Sequence, residues 1–259
     1  MPTLCSQQQL RRAQRLPFCY LCGAPLIPPT SRDHVPPKSI FSQADRQTPL
    51  ILRTHSACNQ QQSARDRVIG QLVAVSWRRY PAPHDRAFTL AVFDPSVAPP
   101  RAGISGINLS STIGRWLKAF HAALYEHALP RDTPNKIYPP LPEGRVTEGG
   151  LVFDAVEPAH RGLVWIIKRN RAAKRLDRIV CYNGKCTYEC TWEFVEGEWR
   201  CVFALQIYNW RELGDPRARR GCVGAYKPQA GLPEHATQAI HNGERVEFSN
   251  ADPTDPFGP

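Results

Sequence analysis

The chain has 259 residues, 42% of them hydrophobic, so it can bury a sizeable core, and this excludes a disordered chain. No stretch approaches the ~20 apolar residues that cross a bilayer, and no apolar segment follows a basic start, so we predict a soluble, cytoplasmic protein without a membrane partner. Nine cysteines are an odd number for a secreted disulfide scaffold, and in a reducing compartment spaced cysteines more often bind metal or pack.

The net charge of +10 is concentrated at the N-terminal end of the chain. Residues 1–80 carry 11 Lys or Arg against 3 acids, which gives +8, whereas the remaining 22 basic and 20 acidic residues give +2. A basic surface on one segment is the pattern expected of a protein that binds a polyanion such as nucleic acid. A solvated face that maintains solubility explains the same charge, so charge alone leaves both interpretations open.

Residues 1–80 are predicted to form the first domain. The polar and basic residues 1–15 indicate a short helix or a frayed tail. In the segment that follows, LPFCYLCG is typical of a turn between two short strands, and SRDHVPPKSIF of a strand that leads into a loop. The stretch HSACNQQQSARDRVIGQLVAVSW predicts a helix, because Ile69, Leu72 and Val73 fall on one helical face.

Residues 81–130 are predicted to form a connector and an amphipathic helix. The first part of this segment is rich in Pro and Gly and places a boundary near residue 80. The stretch STIGRWLKAFHAALYEHALP then repeats apolar residues at helical spacing. His121 and His127 lie on or beside this apolar stripe, and we interpret them as packing or surface residues, with a ligand role as the alternative.

Residues 131–259 are predicted to form a β-rich domain of unassigned role with a disordered tail. Apolar and polar residues alternate around Asn183-Gly184 and around a second turn at EGE, which indicates an antiparallel hairpin or meander. Cys181 and Cys186 should face each other across the first turn. With Cys190 and Cys201 they either bridge or bind a second metal, or pack as small apolar residues.

Two closely spaced pairs of potential zinc ligands lie within the first domain. Cys19 and Cys22 span a tight turn, and His55 and Cys58 repeat the spacing where the predicted helix begins. Zinc binds four N or S ligands in a tetrahedron, and two such pairs are the usual source of these ligands in small domains. The pattern predicts a structural zinc site, the alternative being buried thiols and an unrelated surface histidine.

Between the two pairs lies RDHVPP, in which a carboxylate precedes a histidine. On a regular strand these two side chains point to opposite faces, so the backbone must bend, as Pro36 and Pro37 suggest, if both are to reach one site. An acid and an imidazole at one site suit phosphodiester hydrolysis, in which the acid holds a divalent cation and the imidazole accepts a proton from water. The alternative is an ordinary surface ion pair.

The segments CYLCG, RDHVPPKSIF and LILRTHSACNQQQS together resemble the HNH endonucleases, especially bacterial members in which a zinc-stapled ββα-metal unit carries DHVPPK between two ligand pairs and an Asn directly after the second. The resemblance covers residues 18–68 of the 259. It implies an α+β fold with an N-terminal ββα-metal unit, then the connector and helix, then the antiparallel β-rich region. It also implies a structural zinc and an exchangeable magnesium or manganese.

The resemblance assigns roles by position. It implies that His34 is the general base and that Asp33 and Asn59 hold the catalytic metal. Arg32, Lys38 and Arg53 flank the motif and are expected to contact phosphates, although a solvated role explains each equally well. The implied zinc ligands are Cys19, Cys22, His55 and Cys58.

The chain departs from the family pattern at two positions. His55 stands where most relatives have a cysteine, a change that zinc accepts through a ring nitrogen. The middle Asn, which orients the base in the family, has no clear counterpart, and Gln47 or Thr48 are the candidates to replace it. This second departure bears directly on whether the site is catalytic.

We therefore expect a metal-dependent endonuclease acting on DNA. The first alternative is an inactive zinc-binding module that binds nucleic acid, which the absent middle Asn favours. The second is a protein-interaction domain whose basic segment binds an acidic partner.

Overall fold

The computed structural model describes residues 2–76, 91–94, 101–104, 109–138, 147–148, 151–152, 158–195, 198–208 and 221–227. The boundary predicted near residue 80 and the predicted C-terminal tail lie outside these residues. Among the described residues, no helix combines the length and apolarity needed to cross a membrane.

The chain contains both helices and strands. The helices are α1 (Gln7–Arg12), α2 (Ser56–Ser76), α3 (Leu109–Tyr125) and α4 (Pro158–Ala172). The strands are β1 (Thr3–Leu4), β2 (Thr30–His34), β3 (Ile51–His55), β4 (Ala91–Asp94), β5 (Arg101–Ile104), β6 (Asn135–Tyr138), β7 (Thr147–Glu148), β8 (Leu151–Val152), β9 (Asp177–Cys181), β10 (Cys186–Val195), β11 (Glu198–Ile207) and β12 (Gly221–Tyr226). Three short 3-10 turns cover Ala13–Arg15, Lys38–Ile40 and Gln43–Asp45.

A six-stranded sheet with the order β1-β9-β10-β11-β12-β6 forms the largest element. Four of its five pairings are antiparallel, as the alternating C-terminal sequence predicts. The exception is β1, which pairs in parallel with β9 through Thr3 and Arg178. The first residues of the chain therefore complete a sheet that is built mainly from the last third.

The turn between β9 and β10 confirms the predicted Asn-Gly hairpin. Asn183 and Gly184 have φ of 53° and 79°, the left-handed values that this dipeptide tolerates. Cys181 pairs directly with Cys186. Both thiols are buried and free, as are Cys190 and Cys201. Among the described residues, the one group of side chains able to hold a metal ion lies elsewhere, so these four cysteines pack as small apolar residues.

Helix α3 lies in the main hydrophobic cluster, which takes in residues from all three predicted segments. Phe120 is fully buried and stacks on Tyr188 of β10, with ring centroids 4.5 Å apart. His121 is also fully buried, and its Nδ1 lies 3.0 Å from the hydroxyl of Tyr226. His127 is exposed. The two histidines thus have the packing and surface positions expected of them.

Helix α4 was not predicted, because its apolar residues follow one another closely and resemble a strand run. It begins at Pro158, a residue favoured in the first turn of a helix. Its buried Leu163, Ile166 and Ile167 pack against Val202 of β11 in a second, smaller cluster. The C-terminal region therefore consists of a sheet with a helix packed on it rather than strands alone.

The hairpin β2–β3 and helix α2 carry the residues with predicted chemistry. The strands pair antiparallel from Thr30 opposite His55 to His34 opposite Ile51, and α2 begins at the residue after β3. A Cβ added to Gly70 of α2 would lie 2.6 Å from Ser39 Oγ, so the helix packs tightly against the turn that follows β2.

Candidate metal centre and the two faces of the hairpin

The four predicted zinc ligands lie close together where the turn at Cys19–Cys22 approaches the junction of β3 and α2. The ligand atoms of Cys19, Cys22, His55 and Cys58 all lie within 4.8 Å of one another. Tetrahedral zinc with its usual bond lengths places ligand atoms roughly 3.6–3.8 Å apart. The cluster therefore has the composition and the spacing of a site that can hold a metal.

The first pair of ligands is shaped by a tight turn that we call the first knuckle (Cys19–Cys22). The backbone N–H groups of Cys22 and Gly23 both donate to the Cys19 carbonyl, at 3.3 and 2.7 Å. Gly23 has φ of 79°, a left-handed conformation that glycine adopts without steric cost. The Cys-x-x-Cys-Gly sequence thus encodes a turn that directs two thiols toward one point.

The ring of His55 is oriented for a ligand role through Nδ1. Its Nε2 lies 2.9 Å from the Pro25 carbonyl and 3.4 Å from the Ile27 N–H. The carbonyl can only accept and makes the shorter contact, which favours a proton on Nε2. Nδ1 then presents its lone pair to the thiols, at 3.5 Å from Cys22 Sγ and 4.0 Å from Cys58 Sγ. A backbone acceptor for the non-ligating ring nitrogen is the arrangement that fixes metal-binding histidines.

The pKa values of Cys22 and Cys58 are shifted in opposite directions. Desolvation, followed by the charges of Cys19 and Cys22, raises the pKa of Cys58 to about 11. For Cys22, desolvation acts to raise the pKa, but hydrogen bonds with the Ala24 backbone and with His55 outweigh it and the pKa is lowered. A divalent cation held by these residues would stabilise all three thiolates together.

Strand alternation gives the hairpin two faces of different character. We call Ser31, Asp33, Leu52 and Thr54 the inner face, and three of these four side chains are buried. We call Thr30, Arg32, His34, Ile51, Arg53 and His55 the outer face, all of which are at least partly exposed. Because β2 continues through both residues, Asp33 and His34 point to opposite faces of the hairpin.

Asp33 belongs to a buried polar cluster on the inner face. Tyr20, from within the first knuckle, donates its hydroxyl proton to Asp33 Oδ2. Arg115 of α3 places Nη1 3.5 Å from the same oxygen, and its Nη2 donates to Asp66 of α2. Nη1 is buried and makes no hydrogen bond, so its contact with Asp33 is an ion pair only. This cluster joins the first knuckle, the hairpin and two helices.

Burial dominates the electrostatics of this cluster. Desolvation raises the pKa of Asp66 to about 6, against the opposing attraction of Arg115. Desolvation also raises the pKa of Tyr20 well above its ordinary value, followed by the charge of Asp33. For Arg115, burial lowers the pKa, but Tyr20 and the two carboxylates together raise it above its ordinary value. The guanidinium is therefore charged between two acids.

Asn59, in the first turn of α2, lies against β2. Its amide nitrogen is 3.1 Å from Ser31 Oγ and 3.4 Å from the Arg32 carbonyl, and it donates to both. These contacts attach the helix to the hairpin. They also direct the Asn59 side chain to the inner face of the hairpin and not to the face that carries His34.

His34 is half-buried on the outer face, among basic side chains. Desolvation lowers its pKa, and the positive charge of Lys38 adds to the shift. Arg32 and Arg46 act in the same direction, and Asp33 opposes them. Lys38 itself is exposed, in the 3-10 turn that follows β2. The imidazole is therefore neutral at pH 7 in an electropositive setting.

Gln47 and Thr48, the candidates for the absent middle Asn, contact the Asn183-Gly184 turn. The N–H of Tyr182 donates to the Thr48 carbonyl at 3.0 Å, and the N–H of Asn183 donates to Thr48 Oγ1 at 3.2 Å. Gln47 accepts from Asn183 through its carbonyl. Among the described residues, no hydrogen bond connects either of them to His34.

Sequence reasoning missed the partners of Asp33. Tyr20 lies between two predicted ligands, and no pattern marks its hydroxyl as a partner for Asp33. The position of Arg115 could have been recognised from the helical repeat. Ala119 and Ala122 lie one and two turns after Arg115 on the same side of α3, and both are fully buried. A cation on the buried side of an amphipathic helix requires a buried acid.

Comparison with known proteins adds no assignment. No protein-family model, no curated protein and no solved structure matches the chain.

Proposed function

We propose that the chain is an HNH-type endonuclease that hydrolyses phosphodiester bonds, with DNA as the expected substrate. The observation that supports this most directly is His34, a neutral, half-buried imidazole on a face that also carries Arg32 and Arg53. A general base works best when its pKa lies at or just below the working pH. The surrounding cations favour an anionic substrate at the same place.

In the proposed mechanism, His34 accepts a proton from the water that attacks phosphorus. The new P–O bond forms as the bond to the leaving sugar oxygen breaks, and the imidazolium returns its proton to that oxygen directly or through water. Arg32, Lys38 and Arg53 are proposed to neutralise the negative charge of the phosphoryl oxygens as the bond breaks.

Structural zinc fits Cys19, Cys22, His55 and Cys58, since all four ligand atoms converge and the Pro25 carbonyl favours the His55 tautomer in which Nδ1 carries the lone pair. A zinc ion held there would cross-link the first knuckle to the start of α2 and so hold the hairpin in place. In this proposal the zinc contributes to folding, and the hydrolytic steps belong to the outer face.

A catalytic magnesium or manganese ion does not fit the arrangement of Asp33 and Asn59. Asp33 is buried, and its Oδ2 is engaged by Tyr20 and Arg115. The side chains of Asp33 and Asn59 are both directed to the inner face, away from His34. Divalent cations of this type need free oxygen ligands around an accessible centre. We therefore assign no step of the reaction to such an ion.

The engagement of Asp33 favours a second candidate, a zinc-stabilised module that binds nucleic acid without cutting it. A carboxylate neutralised by a buried guanidinium is a structural element, and it gives the phosphodiester no catalytic assistance. In this case the outer face binds the nucleic-acid backbone, and His34 contributes a polar contact.

Cleavage of a supercoiled plasmid separates the two candidates. Wild type and His34→Ala should be compared at equal zinc content, each with and without added magnesium or manganese, with His127→Ala as the matched exposed control. Nicking by wild type and His127→Ala that is lost in His34→Ala supports the endonuclease. Plasmid binding without nicking under every condition favours the binding module. Equal nicking by His34→Ala refutes the role of His34.

A further inference from the structure

Two arginines face each other directly across the hairpin. Arg32 of β2 is the register partner of Arg53 of β3, and both side chains are exposed on the outer face. Side chains in such a pair have Cβ atoms roughly 4.5–5.5 Å apart, and like charges at this distance destabilise the strand pairing. A hairpin selected only for stability would place an acid or a neutral residue at one of these positions.

The two arginines line a polar cleft with a volume of about 390 Å³. Its other lining residues are Gln14, Thr30 and Ser31. Gln14 supplies an amide and Thr30 a hydroxyl group, whereas the Ser31 hydroxyl is directed to the inner face. Arg53 Nη2 donates to Thr30 Oγ1 at 2.9 Å, so one guanidinium is held at the wall of the cleft. The two guanidinium groups, the Gln14 amide and the Thr30 hydroxyl can all donate hydrogen bonds, which is the composition of a site for an anion.

In the part of the chain that the structure describes, no acid forms an ion pair with either arginine. Among the described residues, the carboxylates that form ion pairs bind Arg115, Arg169, Arg171 and Arg178, and none of them binds Arg32 or Arg53. The nearest acid in the sequence, Asp33, is buried on the other face. Two exposed arginines at the end of α1, Arg11 and Arg12, add positive charge just before the turn that carries Gln14.

We propose that Arg32 and Arg53 form a clamp for one phosphate group of the nucleic-acid backbone. Two guanidinium groups across a narrow gap match the several oxygens of a phosphate and bind it through charge-assisted hydrogen bonds. The anion would remove the repulsion between the two arginines, so binding and hairpin stability are coupled. The Thr30 hydroxyl and the Gln14 amide would donate further hydrogen bonds to the phosphate oxygens.

The clamp deepens the proposed function and rests on it for the identity of the ligand. Arg32 and His34 are two residues apart on the same strand face, about 7 Å along β2. A phosphate held by the clamp therefore lies beside the proposed base, in a position to set the register of the scissile strand.

The test measures DNA affinity by fluorescence anisotropy with a short labelled duplex, with every protein carrying His34→Ala so that cutting does not interfere. Arg32→Glu and Arg53→Ala are each expected to weaken binding about ten- to a hundredfold. Each should also reduce the slope of log affinity against log salt by about one or more. The matched control for Arg32→Glu is Lys174→Glu, which makes the same charge change at an exposed residue beyond α4. Its DNA affinity should be within about twofold of that of wild type.

Thermal stability gives a second readout that distinguishes a clamp from a structural role. Arg32→Glu should keep or raise the melting temperature of the free protein, because the new carboxylate pairs with Arg53 across the strands. Added inorganic phosphate should raise the melting temperature of wild type and leave that of Arg32→Glu unchanged. A lower melting temperature for Arg32→Glu would overturn the proposal, since the arginine pair would then be structural.

The remaining outcomes separate the clamp from the endonuclease. Weaker binding by the variants without plasmid nicking by any protein supports the clamp and refutes the endonuclease. If wild type nicks the plasmid and both arginine variants bind DNA within twofold of wild type, the clamp is refuted and the endonuclease is not. An effect seen only on duplexes with a 5′-phosphate supports a clamp for a terminal phosphate rather than an internal one. Preference for a labelled poly-glutamate peptide over DNA overturns the proposal in favour of an acidic protein partner.

Discussion

Replacing Arg115 with methionine should cost about 3–5 kcal/mol of unfolding free energy at pH 8, the range measured when one partner of a buried ion pair is removed. The side chains of Arg115 and Asp33 are each only 5% exposed, and that of Asp66 is 17% exposed, so water cannot replace the guanidinium. Methionine retains the length and much of the volume of the arginine stem, so the loss is mainly one of charge. It leaves two acids close together in the core without a cation.

The cost should depend on pH in a direction that packing loss would not produce. Desolvation already raises the pKa of Asp66 to about 6 with Arg115 present, and Arg115 opposes that shift. Its removal raises the folded-state pKa further, so the folded variant binds a proton more tightly than the unfolded chain. Stability of the variant is therefore present at low pH and is lost as the pH rises through the folded-state value. The cost at pH 5 should be well below the cost at pH 8.

Urea unfolding followed by tryptophan fluorescence, at constant zinc, measures this cost at each pH. Arg131→Met, which removes an exposed cation in the loop after α3, is the control and should change stability by less than about 0.5 kcal/mol. Combining Arg115→Met with Asp66→Asn should recover part of the loss, since one stranded charge is removed. A cost for Arg115→Met below about 1 kcal/mol, or one that is equal at both pH values, would show that Arg115 does not neutralise these buried acids.

Three further predictions concern the metal, the base and the sheet. Zinc removal by a strong chelator should lower the free energy of unfolding by several kcal/mol and lower the melting temperature. Equal zinc stoichiometry in wild type and His55→Ala would remove His55 from the ligand set. Desolvation lowers the pKa of His34 from 6.5. If the chain cuts DNA, the cleavage rate should therefore rise with pH through a value below 6.5 and be level at pH 7. A cleavage rate that still increases above pH 7 would exclude His34 as the base. Burial raises the pKa of Asp177 from 3.8 to about 6, so stability that is present at low pH is lost as the pH rises through about 6. In urea titrations, Asp177→Asn should remove up to about 3 kcal/mol of this pH-dependent loss. A pH dependence that is unchanged in the variant would contradict the prediction.

Local sequence signals predicted the parts of the structure that depend on neighbouring residues. The Cys19-Cys22 and His55-Cys58 spacings, the Asn183-Gly184 turn and the helices around residues 56–76 and 109–125 follow from turn chemistry and periodicity over short stretches. In each case the residues that decide the conformation are within a few positions of one another.

The prediction did not extend to contacts between distant segments. The sequence suggested that Asp33 and His34 serve one site, but β2 continues unbroken through both, and their side chains face apart. Nothing in the sequence near Asp33 indicates that Arg115 neutralises it from a helix far along the chain. Such pairings depend on how the elements pack, and one sequence carries little information about that.

The parallel pairing of β1 with β9 determines the order in which the chain can acquire its structure during synthesis. Residues 19–58 contain the whole Cys3His cluster, so a metal can bind as soon as this segment has left the ribosome. Thr3 can pair only after Arg178 has been synthesised, and at the usual speed of translation the interval between the two residues is on the order of ten seconds. The metal-bound hairpin would thus be assembled first, and the sheet would form on a segment that is already ordered.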